Sequence, residues 1–78
     1  MKKTVLLNSV NKIQQFVHAT NASEFDIDLL SGSNVYLDAK SLLGILSCDY
    51  SKPLVLDIHA DEDESQGLLK SIEDYIVA

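Results

Sequence analysis

EFDIDLLSGSNVYLDAKSLLGILS, residues 24–47, decides the fold. Its first part alternates. Phe25, Ile27 and Leu29 fall on one side of an extended chain and Asp26 and Asp28 on the other, the period of a half-buried strand. Residues 31–34, SGSN, give a hairpin turn built on Gly32. Residues 35–39, VYLDA, then return as a second strand. After Lys40 the period changes. Ser41 is a natural N-cap, and Leu42, Leu43, Ile45 and Leu46 behind it predict a short helix.

The flanking segments repeat the same alphabet. Residues 4–7, TVLL, are β-branched and apolar and read as a first strand, ended by Asn8 and Ser9. In residues 10–23, VNKIQQFVHATNAS, the positions Ile13, Phe16, Val17 and Thr20 recur at the spacing of one helical face. Ser9 or Asn11 caps its start. Lys52 and Pro53 break the chain after the second helix. Residues 54–60, LVLDIHA, alternate again, with Leu54, Leu56 and Ile58 opposed to Val55, Asp57 and His59. The acid run DEDES at 61–65 precedes QGLLKSIEDYIV, residues 66–77, where Leu68, Leu69, Ile72, Tyr75 and Ile76 make a helical stripe. Acids suit the positive end of a helix. The order is β-α-β-β-α-β-α. It predicts one α+β domain over residues 1–78, an open-faced β-sandwich whose four-stranded, mostly antiparallel sheet is covered on one face by three helices.

Size and charge narrow the function. A chain of 78 residues has room for a compact core and little room for an enclosed cavity, so a functional site belongs on its surface. Hydrophobic residues make up 46% and charged residues 23%, an ordinary soluble composition. The net charge of −6 argues against nucleic acid, whose phosphates need clustered Lys and Arg, and against anionic membranes. It is compatible with a basic protein partner and with plain solubility. The apolar run in MKKTVLLNSV is too short for a signal peptide, and no segment approaches a membrane span. The single cysteine, Cys48, forms no internal disulfide, and there is no second Cys for a zinc site. A reducing cytoplasm fits such usage.

Few residues carry chemistry by their spacing. His18 lies roughly 140° around the first helix from Ile13, away from the apolar face. Gln14 and Ala22 flank it one turn back and one turn on, so no acid orients its ring and no Arg stands in that segment. It reads as a solvated surface histidine. His59 stands alone near the end of a strand, and His18, His59 and Asp57 match no zinc-ligand spacing. Cys48 reads as a structural thiol. The acids at 61–64 lack the ligand spacing and glycine of a calcium loop and read as a solvated helix start. No pair of catalytic groups is placed by motif, so no enzyme, no cofactor and no metal are expected.

Residues 37–47, LDAKSLLGILS, hold a Lys-Ser pair followed by apolar residues, a Gly and further apolar residues. Together with TNASEFDIDLL at 20–30 and the acid- and leucine-rich last helix, they resemble HPr, the histidine-containing phosphocarrier of the bacterial phosphoenolpyruvate-dependent sugar phosphotransferase system. The resemblance spans essentially the whole chain, and the Lys-Ser segment is its most specific part. The family's motif is a Gly-x-His-Ala-Arg-Pro at the start of the first helix, whose His takes phosphate from the upstream enzyme and passes it to a sugar transporter subunit. Counting back without gaps from Phe25 puts Asn11 at the His, Ser9 at the Gly, Ile13 at the Arg and Gln14 at the Pro. A slip of one or two residues does not restore the motif. The carrier step needs an imidazole nitrogen held at a helix N-terminus among N–H donors and an Arg. Asn11 is no such nucleophile and Ile13 brings no charge.

The resemblance therefore implies an HPr-like fold acting as a regulatory or protein-binding module in place of a phosphocarrier. In the Gram-positive branch of the family the Ser of the Lys-Ser pair is phosphorylated by a dedicated kinase and the product binds a transcriptional regulator, which makes Ser41 the regulatory candidate. As a cap alone it contributes about 1 kcal/mol. Lys40, Leu42, Leu43 and Leu46 match the family's partner-facing patch. Because Leu42, Leu43 and Leu46 cannot all be buried on so short a helix, Leu42 or Leu43 is expected to be at least half exposed. The implied partners are phosphotransferase-system proteins or a regulator, met as a monomer in the cytoplasm. Two other readings stand beside this one: a working phosphocarrier that uses His18, and an unrelated small α+β interaction domain with a different strand order.

Overall fold

The computed structural model describes residues 1–32 and 35–77. Strand β1 (Lys2–Val5) leads to helix α1 (Val10–Asn21), the hairpin strands β2 (Ile27–Ser31) and β3 (Val35–Asp38), helix α2 (Leu42–Leu46), strand β4 (Leu54–Ile58) and helix α3 (Glu62–Ser71). A 3₁₀ turn over Glu73–Tyr75 follows. The sheet order is β1-β4-β2-β3 and every pairing is antiparallel. Gly32 turns the hairpin with a left-handed φ of 69°. That conformation suits a residue without Cβ. Ser33 and Asn34 of the expected turn lie outside the described residues.

Alternation sorts the sheet into two faces. Ile27, Leu29, Leu54, Leu56 and Ile58 point inward and are buried with Val5. They pack against Ile13 and Phe16 of α1, Ile45 of α2, Leu68 of α3 and the following Ile72. Phe16 meets the Tyr75 ring edge-on, with centroids 6.3 Å apart. Among the described residues, no helix packs on the opposite face of the sheet.

The boundaries at both ends of the chain differ from the sequence reading. The first strand runs over Lys2–Val5 in place of 4–7. Pairing with β4 sets this register, Val5 opposite Leu54, and Leu7 is buried beyond the strand end. The last helix stops at Ser71. Tyr75 then sits in the 3₁₀ turn and Ile76 bridges Val5, so the chain end lies along β1 and does not continue the helical stripe. Of the predicted α1 face, Ile13, Phe16 and Thr20 are buried and Val17 is half-buried.

Capping explains where the helices start. Ser9 accepts the Lys12 N–H at 3.2 Å, which selects Ser9 over Asn11 as the cap of α1. Asp61 and Glu64 form a capping box for α3, with Glu64 N–H on Asp61 Oδ1 at 2.8 Å. The acid run is thus a helix start, as its composition suggests.

Candidate functional site

Helices α1 and α2 lie side by side and run in opposite directions. At one end, Thr20 Oγ1 donates to the Ala39 carbonyl at 2.8 Å and Asn21 Nδ2 donates to the Lys40 carbonyl at 3.0 Å. At the other end, the Asn8 N–H donates to the Tyr50 carbonyl at 3.0 Å. The start of α1 is thereby fixed beside the loop that leaves α2, and the start of α2 beside the end of α1.

The start of α1 is polar but carries no imidazole. Asn8 turns with φ 42°, Ser9 caps, and Asn11 stands exposed in the first turn. Lys12 follows in the same turn, and the chain has no Arg at all. Val10, the first helical residue, is 44% exposed. His18 sits exposed in the last turn of α1 rather than midway along it. That end of a helix presents carbonyl oxygens and negative potential, which disfavours a bound phosphoryl group.

Ser41 caps α2. Its Oγ accepts the Gly44 N–H at 3.1 Å, and its carbonyl accepts the Ile45 N–H at 3.1 Å. The closeness depends on Gly44, since a Cβ there would lie 3.2 Å from Ser41 Oγ. Ile45 is buried, and Leu42 and Leu46 are half-buried against the core. Leu43 is 80% exposed. Sequence periodicity could not choose between Leu42 and Leu43, and packing against α1 and the sheet does. Lys40 Nζ donates to the Ser23 carbonyl at 2.9 Å, so its ammonium clamps the loop after α1 instead of reaching outward. Val10 is in phase with Ile13 and Val17, so periodicity alone did not reveal its exposure at the first position of α1.

Cys48 is half-buried below this helix, its Sγ against the Ile45 carbonyl at 3.0 Å. Burial pushes the thiol above its ordinary value, partly offset by Ser31.

A second group lies on the uncovered sheet face. Asp28 and Asp57 are direct partners in the β2–β4 register. His59 Nε2 lies 2.9 Å from Asp28 Oδ2 and 3.8 Å from Asp57 Oδ2. His59 is therefore not isolated. Its partners are far off in sequence, and the shared outward parity of Asp28, Asp57 and His59 was the signal that could have found them. Among the described residues no group of His, Cys, Asp and Glu is placed to hold a metal ion, and no helix is long and apolar enough to cross a membrane.

Of known structures, HPr-C-His from Thermoanaerobacter tengcongensis superposes with a TM-score of 0.72 over 95% of this chain and 92% of that one, at 20% sequence identity. The fold is accordingly HPr-like, with the strand order that the resemblance required. No protein-family model matches the chain, and neither does any curated protein sequence.

Proposed function

We propose that this chain is a non-carrier, HPr-like module of a phosphoenolpyruvate-dependent sugar phosphotransferase system, and that it acts by binding a protein partner through the exposed side of α2. The observation that carries the reading is Leu43, 80% exposed on α2 in a chain whose α1 start has no histidine. The structural neighbour is an HPr, which supports the same system as the source of partners.

The chemistry at the α1 start supports loss of the carrier step. An amide such as Asn8 or Asn11 has no lone pair basic enough to take a phosphoryl group. The Ser9 hydroxyl would give a phosphate ester too stable to pass its phosphoryl onward. Neither an Arg nor an imidazole is at hand to hold the transferring oxygens, and His18 stands at the wrong pole of the helix. What remains is shape: Leu43 outward in the first turn of α2, with Leu42 and Leu46 half-buried on the same short helix. Clusters of this kind mark interfaces more often than isolated apolar residues do.

Ser41 is the proposed point of regulation. Phosphorylation would place about two negative charges beside Leu43 and take the Oγ from Gly44 N–H, changing both the helix start and the surface it presents. The protein does not itself catalyse a reaction in this reading.

The test incubates the pure chain with the upstream phosphotransferase enzyme and labelled phosphoenolpyruvate and follows intact mass for acid-labile phosphate. No transfer is expected, while the same enzyme shifts amide signals of α2 in a labelled sample. Acid-labile phosphate on His18 or His59 would refute the non-carrier reading, and an undisturbed α2 would refute the docking reading.

A further inference from the structure

The two edges of the sheet are treated differently. At β1 the chain end seals the edge. Leu6 N–H donates to the Tyr75 carbonyl at 2.9 Å, Val77 N–H to the Thr4 carbonyl at 2.8 Å, and Val5 bridges Ile76. At the other edge, β3 pairs with β2 alone. Among the described residues no backbone bond from outside β2 reaches Val35, Tyr36 or Leu37. Both Val35, 52% exposed, and Tyr36, 65% exposed, stand open on this four-residue strand. Unpaired edges with apolar side chains are templates for a further strand.

The uncovered face behind β3 is arranged in rows. Lys2, Asp57, Asp28 and Asp38 form one row across all four strands. Thr4, Val55, Leu30 and Tyr36 form the next. Within the acidic row the inner carboxylates are answered. Lys2 stands opposite Asp57, and His59 lies on Asp28. Asp38 closes the row at the free edge. It accepts the Lys40 N–H at 2.9 Å and has no cationic partner among the described residues. A strand added beyond β3 would continue both rows, with a residue beside Asp38 and another, two positions along, beside Tyr36.

We propose that the free β3 edge is a docking site for an extended, basic segment of a partner protein, which adds as a fifth strand. It would set a Lys or Arg beside Asp38 and an apolar residue beside Tyr36. Main-chain bonds supply the affinity in this mode of recognition and the alternate side chains the selection. The charge excludes a second copy as the occupant, because a net −6 chain would bring its own acidic rows against these. The site uses the β3 edge and the open sheet face, and it does not rest on the function proposed for the Leu43 side of α2.

A short peptide with Lys and Val two residues apart and Thr between and around them, the Lys–Val peptide, titrated into the labelled chain tests this. Amides of Val35–Asp38 and of their β2 partners should shift, with weakening at higher salt. A Glu–Val peptide and a Lys–Pro peptide of equal charge, which cannot form the ladder, should leave them unmoved. Asp38→Asn should weaken the Lys–Val peptide by about two- to five-fold, the size of an exposed ion pair. Tyr36→Thr should weaken it too, and Leu43→Ser should not. The proposal is overturned by shifts confined to the helices, by equal binding of the Glu–Val or Lys–Pro peptide, or by no shift at millimolar peptide. Concentration-dependent dimers of the free chain that are lost on Tyr36→Thr would overturn it as well, assigning the edge to a second copy.

Discussion

Thr20 is the side chain on which the placement of α2 depends, and Thr20→Val isolates its role. The residue is fully buried in α1, and its hydroxyl lies 2.8 Å from the Ala39 carbonyl and 3.1 Å from the Val17 carbonyl. A hydroxyl has one proton, and the shorter contact receives it. The Val17 carbonyl has a second donor in Asn21 Nδ2 at 2.8 Å. Ala39 is itself fully buried, and among the described residues its carbonyl has Thr20 as its one donor. Valine keeps the volume and the branch, so no cavity opens. It leaves a buried acceptor without a partner, which costs about 1–3 kcal/mol. For a domain of this size that lowers Tm by about 4–8 °C per kcal/mol. Urea unfolding followed by far-UV circular dichroism measures the change. Thr20→Ser, which keeps the donor and drops a methyl, should cost about 1 kcal/mol, the transfer value of a buried CH₂. A Thr20→Val protein within 0.5 kcal/mol of the parent would refute the reasoning, since water or a relaxed backbone would then be satisfying Ala39.

The other expectations are briefer. Leu43→Ser should leave the urea midpoint nearly unchanged, within about 0.5 kcal/mol, whereas Ile45→Ala two residues on should cost about 2–5 kcal/mol through the cavity it leaves, and equal effects would mean that α2 is rotated from its described position. Ser41→Ala should cost about 1 kcal/mol by removing the α2 cap, with amide exchange rising at Gly44, and an unchanged Gly44 would remove the capping bond. Burial holds the Cys48 thiol in its neutral form, so its folded pKa lies above the unfolded one; stability should be flat below about pH 8 and fall as pH climbs above the ordinary thiol range, and thermal unfolding of the parent against Cys48→Ala should show the gap changing only on the alkaline side.

The sheet was legible because its inward residues alternate without interruption. Ile27 and Leu29 in β2 and Leu54, Leu56 and Ile58 in β4 could face only one way, and the hairpin around Gly32 joined β2 to β3. The ends of the chain were less legible for a physical reason. A run such as TVLL specifies burial but not register, and Val5 pairs with Leu54 because β4 offers that partner. The stripe from Leu68 to Ile76 is compatible with a continuous helix, and the bridge between Ile76 and Val5 wins because it seals an otherwise open edge. At the candidate site the Ser41 cap and one exposed leucine could be read from spacing. The engagement of Lys40 with Ser23, the exposure of Val10 and the joining of His59 to Asp28 could not, because each depends on residues far apart in sequence.

The two faces of the molecule carry opposite kinds of surface. On the helix side, Leu43 stands exposed beside the half-buried Leu42 and Leu46, and the Ser41 cap there is already engaged with backbone N–H. A partner there gains chiefly by apolar contact, so its affinity should change little with salt. On the open sheet face, Asp57, Asp28 and Asp38 line up and the chain's net charge of −6 adds to their field. Association there should weaken as salt screens it. Salt dependence thus separates the two surfaces without knowledge of either partner. Binding that is insensitive to salt and lost on Leu43→Ser belongs to α2, whereas binding that is weakened by salt and by Asp38→Asn belongs to β3. Salt-sensitive binding abolished by Leu43→Ser alone would contradict this division and place a charged contact at the start of α2, which Lys40 directly precedes.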